Sequence, residues 1–182
     1  MKLNIGSDAL TWWSGLQPPD ERNRDRRGDR GALARLRRCA SVIDAASEPA
    51  TFALCRKLEA TEHDLARVAL LAAVLAQVRE HDGRLRVARQ IGAQNRETPA
   101  VMSDLRFRRL LQSDTDDEKL IGFRRLVALA GRKLNVGDLA DGVVNWEWEA
   151  TRRRWIYAYH DAPDFQSNNA DATPSANQDV SV

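Results

Sequence analysis

The chain is 182 residues long, with 43% hydrophobic and 30% charged side chains, which is enough to bury a real core beneath a densely charged surface. That balance excludes a membrane-embedded or wholly disordered chain. The formal net charge is +2, but residues 162–182 hold three aspartates and no Lys or Arg, so the rest carries 28 basic against 23 acidic side chains. Of the basic residues 24 are arginine and 4 lysine. Arginine offers a planar fork of donors that matches phosphate oxygens, and a GC-rich genome would give the same bias.

In chain order, Ser7 is placed to cap a first helix carrying Leu10, Trp12, Trp13 and Leu16, stopped by Pro18 and Pro19. The charged stretch ERNRDRRGDR has no apolar residue and reads as a mobile loop. A second helix is expected over 31–41 with Leu33, Leu36 and Val42 inward, and a third opens at Glu48-Pro49 and ends near Leu58. Thr61 and Asp64 form a weak capping box opening a helix over 62–81, apolar on nearly every side and therefore expected to be central. A short helix over 84–91 and the connector NRETP follow, and the boundary between two lobes is placed there.

Ser103 caps the next helix, SDLRFRRLLQSD. Asp116, Asp117 and Glu118 lie where a helix N-terminus favours negative charge and introduce a helix running to Gly131. Further helices begin near Asp138 and cover 149–160. No segment alternates with strand periodicity, so the expected fold is all-α: two small helical lobes, 1–92 and 100–161, forming a helical bundle, with a disordered polar tail over 162–182.

At about 100° per residue, Phe107, Leu110 and Leu111 share one side of the opening C-terminal helix, while Arg108 and Arg109 face away beside Leu105. In KLIGFRRLVALAGRK the apolar face is Leu120, Phe123, Leu126, Val127 and Ala130, with Arg125 and Arg132 opposite. LARLRRC and TRRRWIYAY repeat the design with Arg37, Arg38, Arg152 and Arg153. Charged helix faces are ordinarily just solvated. Here few acids lie within pairing distance, the exceptions being Asp104 for Arg108 and Glu149 for Arg153. Unpaired arginines on several helices suit a phosphate backbone.

No catalytic constellation can be assembled: His63, His81 and His160 sit at helix ends, and there is no nucleophile elbow, phosphate-cradling glycine loop or metal-ligand spacing. No cofactor is expected. DTDDE lacks the glycine and distal glutamate of a calcium loop and reads as a helix start. Cys39 and Cys55 read as small buried hydrophobes in a reducing compartment. Trp146 and Trp148 cannot face the same way on a helix, so one belongs to the core and the other to a contact. The longest apolar run, 68–76, is too short to cross a bilayer, and MKLNIGSDAL lacks a signal-peptide core, so a cytoplasmic location is expected.

The order TWWSGLQ, GDRGALARLRRC, LARVALLAAVLAQV, LRFRRLLQSD, GFRRLVALAG, NVGDLADGVVNW and RRRWIYAY resembles the small subunit of the type I-E CRISPR surveillance complex Cascade, the CasB family. The resemblance implies a non-enzymatic all-α protein whose partners are the Cascade backbone and large subunits, a second copy of itself, the guide RNA, and the target and displaced DNA strands. It implies nucleic-acid contacts at Arg37, Arg38, Arg56, Arg124, Arg125, Arg152 and Arg153; the charge pattern adds Arg108, Arg109 and Arg132. The function so implied is sequence-independent binding of nucleic-acid backbone that stabilises the R-loop. The alternative is a helical protein-interaction module whose arginines meet acidic partner surfaces. A helix-turn-helix regulator is disfavoured because the basic pairs are spread over four helices.

Overall fold

The computed structural model describes residues 5–18, 28–93 and 99–160. The charged loop, the connector NRETP and the polar tail therefore lie largely or wholly outside the described residues. Among those described there are ten α-helices.

Helix α1 (Ile5–Leu16) begins two residues before Ser7. Ile5 is buried and the Gly6 amide meets the Asp141 carboxylate, so tertiary contact extends the helix beyond its local cap. Both tryptophans of TWWSG are buried, Trp12 donating to the Ala50 carbonyl at 3.1 Å and Trp13 to that of Val78 at 3.3 Å. Buried indole N–H groups need such acceptors. Next come α2 (Arg30–Arg38), capped by Asp29, and α3 (Val42–Ala46), whose Ser41 and Asp44 form a capping box. Val42, expected to continue the second helix, instead opens α3. Helix α4 (Pro49–Leu58) has Pro49 in its first turn, as expected.

The long helix expected over 62–81 is broken. Residues Glu62–Asp64 form one 3-10 turn behind the Thr61–Asp64 box, α5 (Leu65–Leu75) follows, and the chain then turns into strand β1 (Glu80–His81). Val68 through Leu75 are all buried, so α5 is the central helix, with α3, α4, α8 (Asp116–Leu129) and α9 (Val136–Val144) packed round it. Strand β1 pairs in parallel with β2 (Lys133–Leu134), Glu80 opposite Lys133. Two-residue strands carry no readable alternation, and their partners lie more than fifty residues apart. The fold remains all-α.

Helix α6 (Val87–Ile91) packs on α10 (Glu149–Tyr159), and α7 (Asp104–Leu111) lies on α8. Buried residues from α1 to α10 form one continuous hydrophobic cluster, so the elements on either side of the connector share a core. At its C-terminal end Phe123, Trp146 and Trp155 meet edge to face with centroids 4.9–6.0 Å apart, and Phe107 stacks on Tyr159 at 4.1 Å. Gly142 lets the Trp155 ring lie directly on α9, where any Cβ would overlap it. Trp146 is the buried member of its pair and Trp148 is 65% exposed; both lie in the turn between α9 and α10, so the packing of that turn, and not helical spacing, separates them.

Candidate nucleic-acid interface

The expected arginines divide by what their guanidinium groups touch. Arg124 is half-buried on α8 and donates through Nη1 to the Cys39 carbonyl at 2.7 Å and through Nη2 to the Leu36 carbonyl at 3.0 Å. These carbonyls end α2, where the last four lack helical partners and a cation is favoured. Burial holds the Arg124 pKa below its ordinary value, and its Nε is buried without a partner. This guanidinium, for which the resemblance implies a nucleic-acid contact, is instead engaged by backbone carbonyls. It ties α8 to α2, because the tertiary fold brings a helix C-terminus to it.

Arg37 and Arg132 come together, with Arg79 as a third member. Arg37 donates through Nε to the Ala76 carbonyl at 2.6 Å, and Gln77 bridges, taking a bond from Arg132 Nη1 and giving one to the Arg37 carbonyl, both at 3.4 Å. Burial first, then the positive charges of Arg79 and Arg132, lower the Arg37 pKa. No acid contributes to that shift. Arg132 is not helical: Gly131 (φ 65°) and Arg132 (φ 62°) both lie in the left-handed region, turning the chain from α8 into β2. Arg79 escaped the sequence reading because a helix over 62–81 gives it no relation to Arg132; the turn after α5 and the backbone bond from Arg79 N to the Arg132 carbonyl at 2.8 Å create it.

Arg109 and Arg125 meet across α7 and α8 and are joined by Arg106. With Met102, Leu110, Ile121 and Gly122 they line a groove of about 360 Å³. None of these three guanidinium groups pairs with a carboxylate among the described residues. The lining carboxylate, Glu118, accepts from the Asp114 and Thr115 amides at 3.1 Å, and those bonds hold its pKa below the usual carboxylate range. Arg106 was legible: it lies three residues before Arg109, on the same side of a helix.

The remaining arginines stand apart from these groups. Arg108 pairs with Asp104 at 2.9 Å and Arg153 with Glu149 at 3.4 Å, both i,i+4 pairs visible in the sequence. Arg152 is half-buried and donates to the Leu111 carbonyl at 3.4 Å. Arg38 and Arg56 are exposed. The acidic run serves the helices: Thr115 and Glu118 form the capping box of α8, and Asp117 Oδ1 accepts from Val42 N at 2.7 Å, capping α3. Among the described residues no group of three or more His, Cys, Asp or Glu is placed to hold a metal ion.

The class defined by these features is an all-α protein that displays arginine clusters at its surface, one across two helices and one where a helix meets two turns. Its family follows from comparison: the family model of CRISPR-associated protein Cse2 matches residues 32–160, and the chain belongs to that family. A chain from the crystal structure of E. coli Cascade bound to a PAM-containing dsDNA target is similar in fold, with TM-score 0.56 and 19% identity over 84% of this chain and 93% of that one. No match is found among curated proteins.

Proposed function

We propose that this chain is a non-catalytic subunit of a type I-E CRISPR Cascade complex that binds nucleic-acid backbone without sequence specificity and stabilises the R-loop of guide RNA and target DNA. The observation that carries the reading is the pair of arginine groups, Arg37–Arg79–Arg132 and Arg106–Arg109–Arg125, both without a carboxylate partner, on a chain of the Cse2 family. R-loop formation is a near-balanced exchange of duplexes, so a few phosphate contacts from a rigid surface shift it. Arg38 and Arg56 extend the exposed basic surface; Arg108, Arg152 and Arg153 have intramolecular partners to release first. Arg124 acts by holding α2 in place.

The partners in this reading are the backbone and large subunits, a second copy of the chain, the guide RNA and both DNA strands, in the cytoplasm. The residues before and after the connector serve as two lobes of one body. No helix among the described residues is long and apolar enough to cross a membrane. The protein-interaction alternative draws support from Ile43, 74% exposed, and from Trp148, which suit subunit contacts. Binding of single-stranded DNA across a salt series separates the two. Affinity should fall steeply as salt rises, and affinity indifferent to salt would overturn the phosphate reading.

A further inference from the structure

The groove between α7 and α8 holds its chemistry in a fixed order. Glu118, Ile121, Gly122 and Arg125 stand at i, i+3, i+4 and i+7 of α8, so they share one face, and all four line the groove. From carboxylate to guanidinium the helix rises about 10 Å. Between the two ends Ile121 is 56% exposed, and Gly122 lets Leu110 of α7 close the floor, since a Cβ there would stand 2.8 Å from Leu110 Cδ1. Arg106 and Arg109 add their guanidinium groups from α7. An acceptor, an apolar strip and a group of cations thus follow one another, as the base edge, base face and phosphate of an unpaired nucleotide do.

Glu118 selects among anionic occupants. Its Oε2 takes both amide bonds, and Oε1 accepts none among the described residues. The Thr115 and Asp114 amides hold its pKa below the usual carboxylate range, so the group stays ionised and can only accept. An acidic peptide would offer this fixed anion further carboxylates. A nucleotide instead carries its charge at one end and its N–H donors at the other. We propose that the groove is a nucleotide subsite: one unstacked base of a single strand lies on Ile121, its exocyclic amino group donates to Glu118 Oε1, and the adjoining phosphates meet Arg106, Arg109 and Arg125. Carboxylates accept from cytosine N4, whereas thymine presents a carbonyl oxygen at that position and is repelled. A paired base keeps its Watson–Crick edge engaged, so only an unpaired strand qualifies. The volume of about 360 Å³ suits a single such unit. The subsite rests on the function proposed above: the remaining backbone contacts stay independent of sequence, and one position along the strand acquires a base preference.

The test is titration of the full chain at low salt with oligodeoxycytidylate, oligodeoxythymidylate and an abasic oligomer of equal length. Wild type should bind the cytidylate about fivefold more tightly than the thymidylate, and more tightly than the abasic chain. The Ile121 methyl NMR signals should move with the cytidylate and not with the abasic chain. Glu118→Gln, which keeps the capping box, should bring the cytidylate and thymidylate affinities together. Ile121→Ser, at an exposed position, should lower the cytidylate affinity towards the abasic level with helix content unchanged. Equal affinities for all three oligomers in wild type, falling together as salt rises, would overturn the subsite and leave the backbone reading standing. A cytidylate preference that survives both substitutions would also overturn it, because the base would then be held elsewhere. Binding of no oligomer at all would defeat the function proposed above and the subsite with it.

Discussion

Arg124 on α8 and Cys39, the residue that ends α2, are joined by a 2.7 Å hydrogen bond from guanidinium Nη1 to backbone carbonyl, with the Leu36 carbonyl on the second nitrogen. One side chain thus satisfies two helix-end acceptors that water reaches poorly, since Leu36 is fully buried and Cys39 nearly so. Hydrogen bonds from a charged donor contribute more than neutral ones. Arg124→Ala should lower stability by about 2–3 kcal/mol, read by urea denaturation. Arg124→Lys should recover only part of this, because an ammonium cannot span both carbonyls as the fork does. Full stability in Arg124→Ala would show the contact to be incidental.

Arg109 and Arg125 predict the opposite pattern. Both are exposed and without a carboxylate partner, so Arg109→Ala with Arg125→Ala should change stability by no more than about 0.5 kcal/mol. If each neutralises one phosphate, the slope of log affinity against log salt for single-stranded DNA should become shallower by about 1.4. An unchanged slope would remove the groove from the interface.

Gly142 permits a contact that no other residue could keep. A Cβ there would overlap the Trp155 ring, which is wedged between Phe123 and Trp146 and cannot swing away. Gly142→Ala gains helix propensity yet should cost roughly 1–3 kcal/mol through overpacking. Thermal unfolding would check it; a stabilised variant would mean that α9 shifts freely.

Asp141 makes a pH prediction. Burial, then the negative charge of Asp138, raises its pKa above the ordinary carboxylate value, with Arg154 opposing. A carboxyl whose folded pKa is raised binds its proton more tightly when folded, so it costs stability above that pKa and ceases to do so as pH falls to the unfolded value. Asp141→Asn, which keeps an acceptor for the Gly6 amide, should therefore be more stable than wild type at pH 7. The advantage should shrink as pH drops through the raised pKa, seen as converging denaturation midpoints. A constant difference at every pH would assign the effect to packing.

Local signals were enough for what depends on neighbours in sequence: the all-α class, the helix starts at Pro49 and at the acidic run from Asp116, and the i,i+4 pairs of Arg108 and Arg153. Periodicity and capping act within about one helical turn, so they survive reading without coordinates. The tertiary structure decided the rest. It cut the helix expected over 62–81, because backbone groups after α5 pair with β2 more than fifty residues away. It sent Arg124 inward and Arg125 outward, though the two are adjacent and chemically identical. It also built both arginine groups from residues on separate elements, Arg37 and Arg79 with Arg132, and Arg106 and Arg109 with Arg125. A chain specifies on its own which residues are charged, but which charges meet is set by the packing of helices around α5, an interaction between segments that no local pattern records.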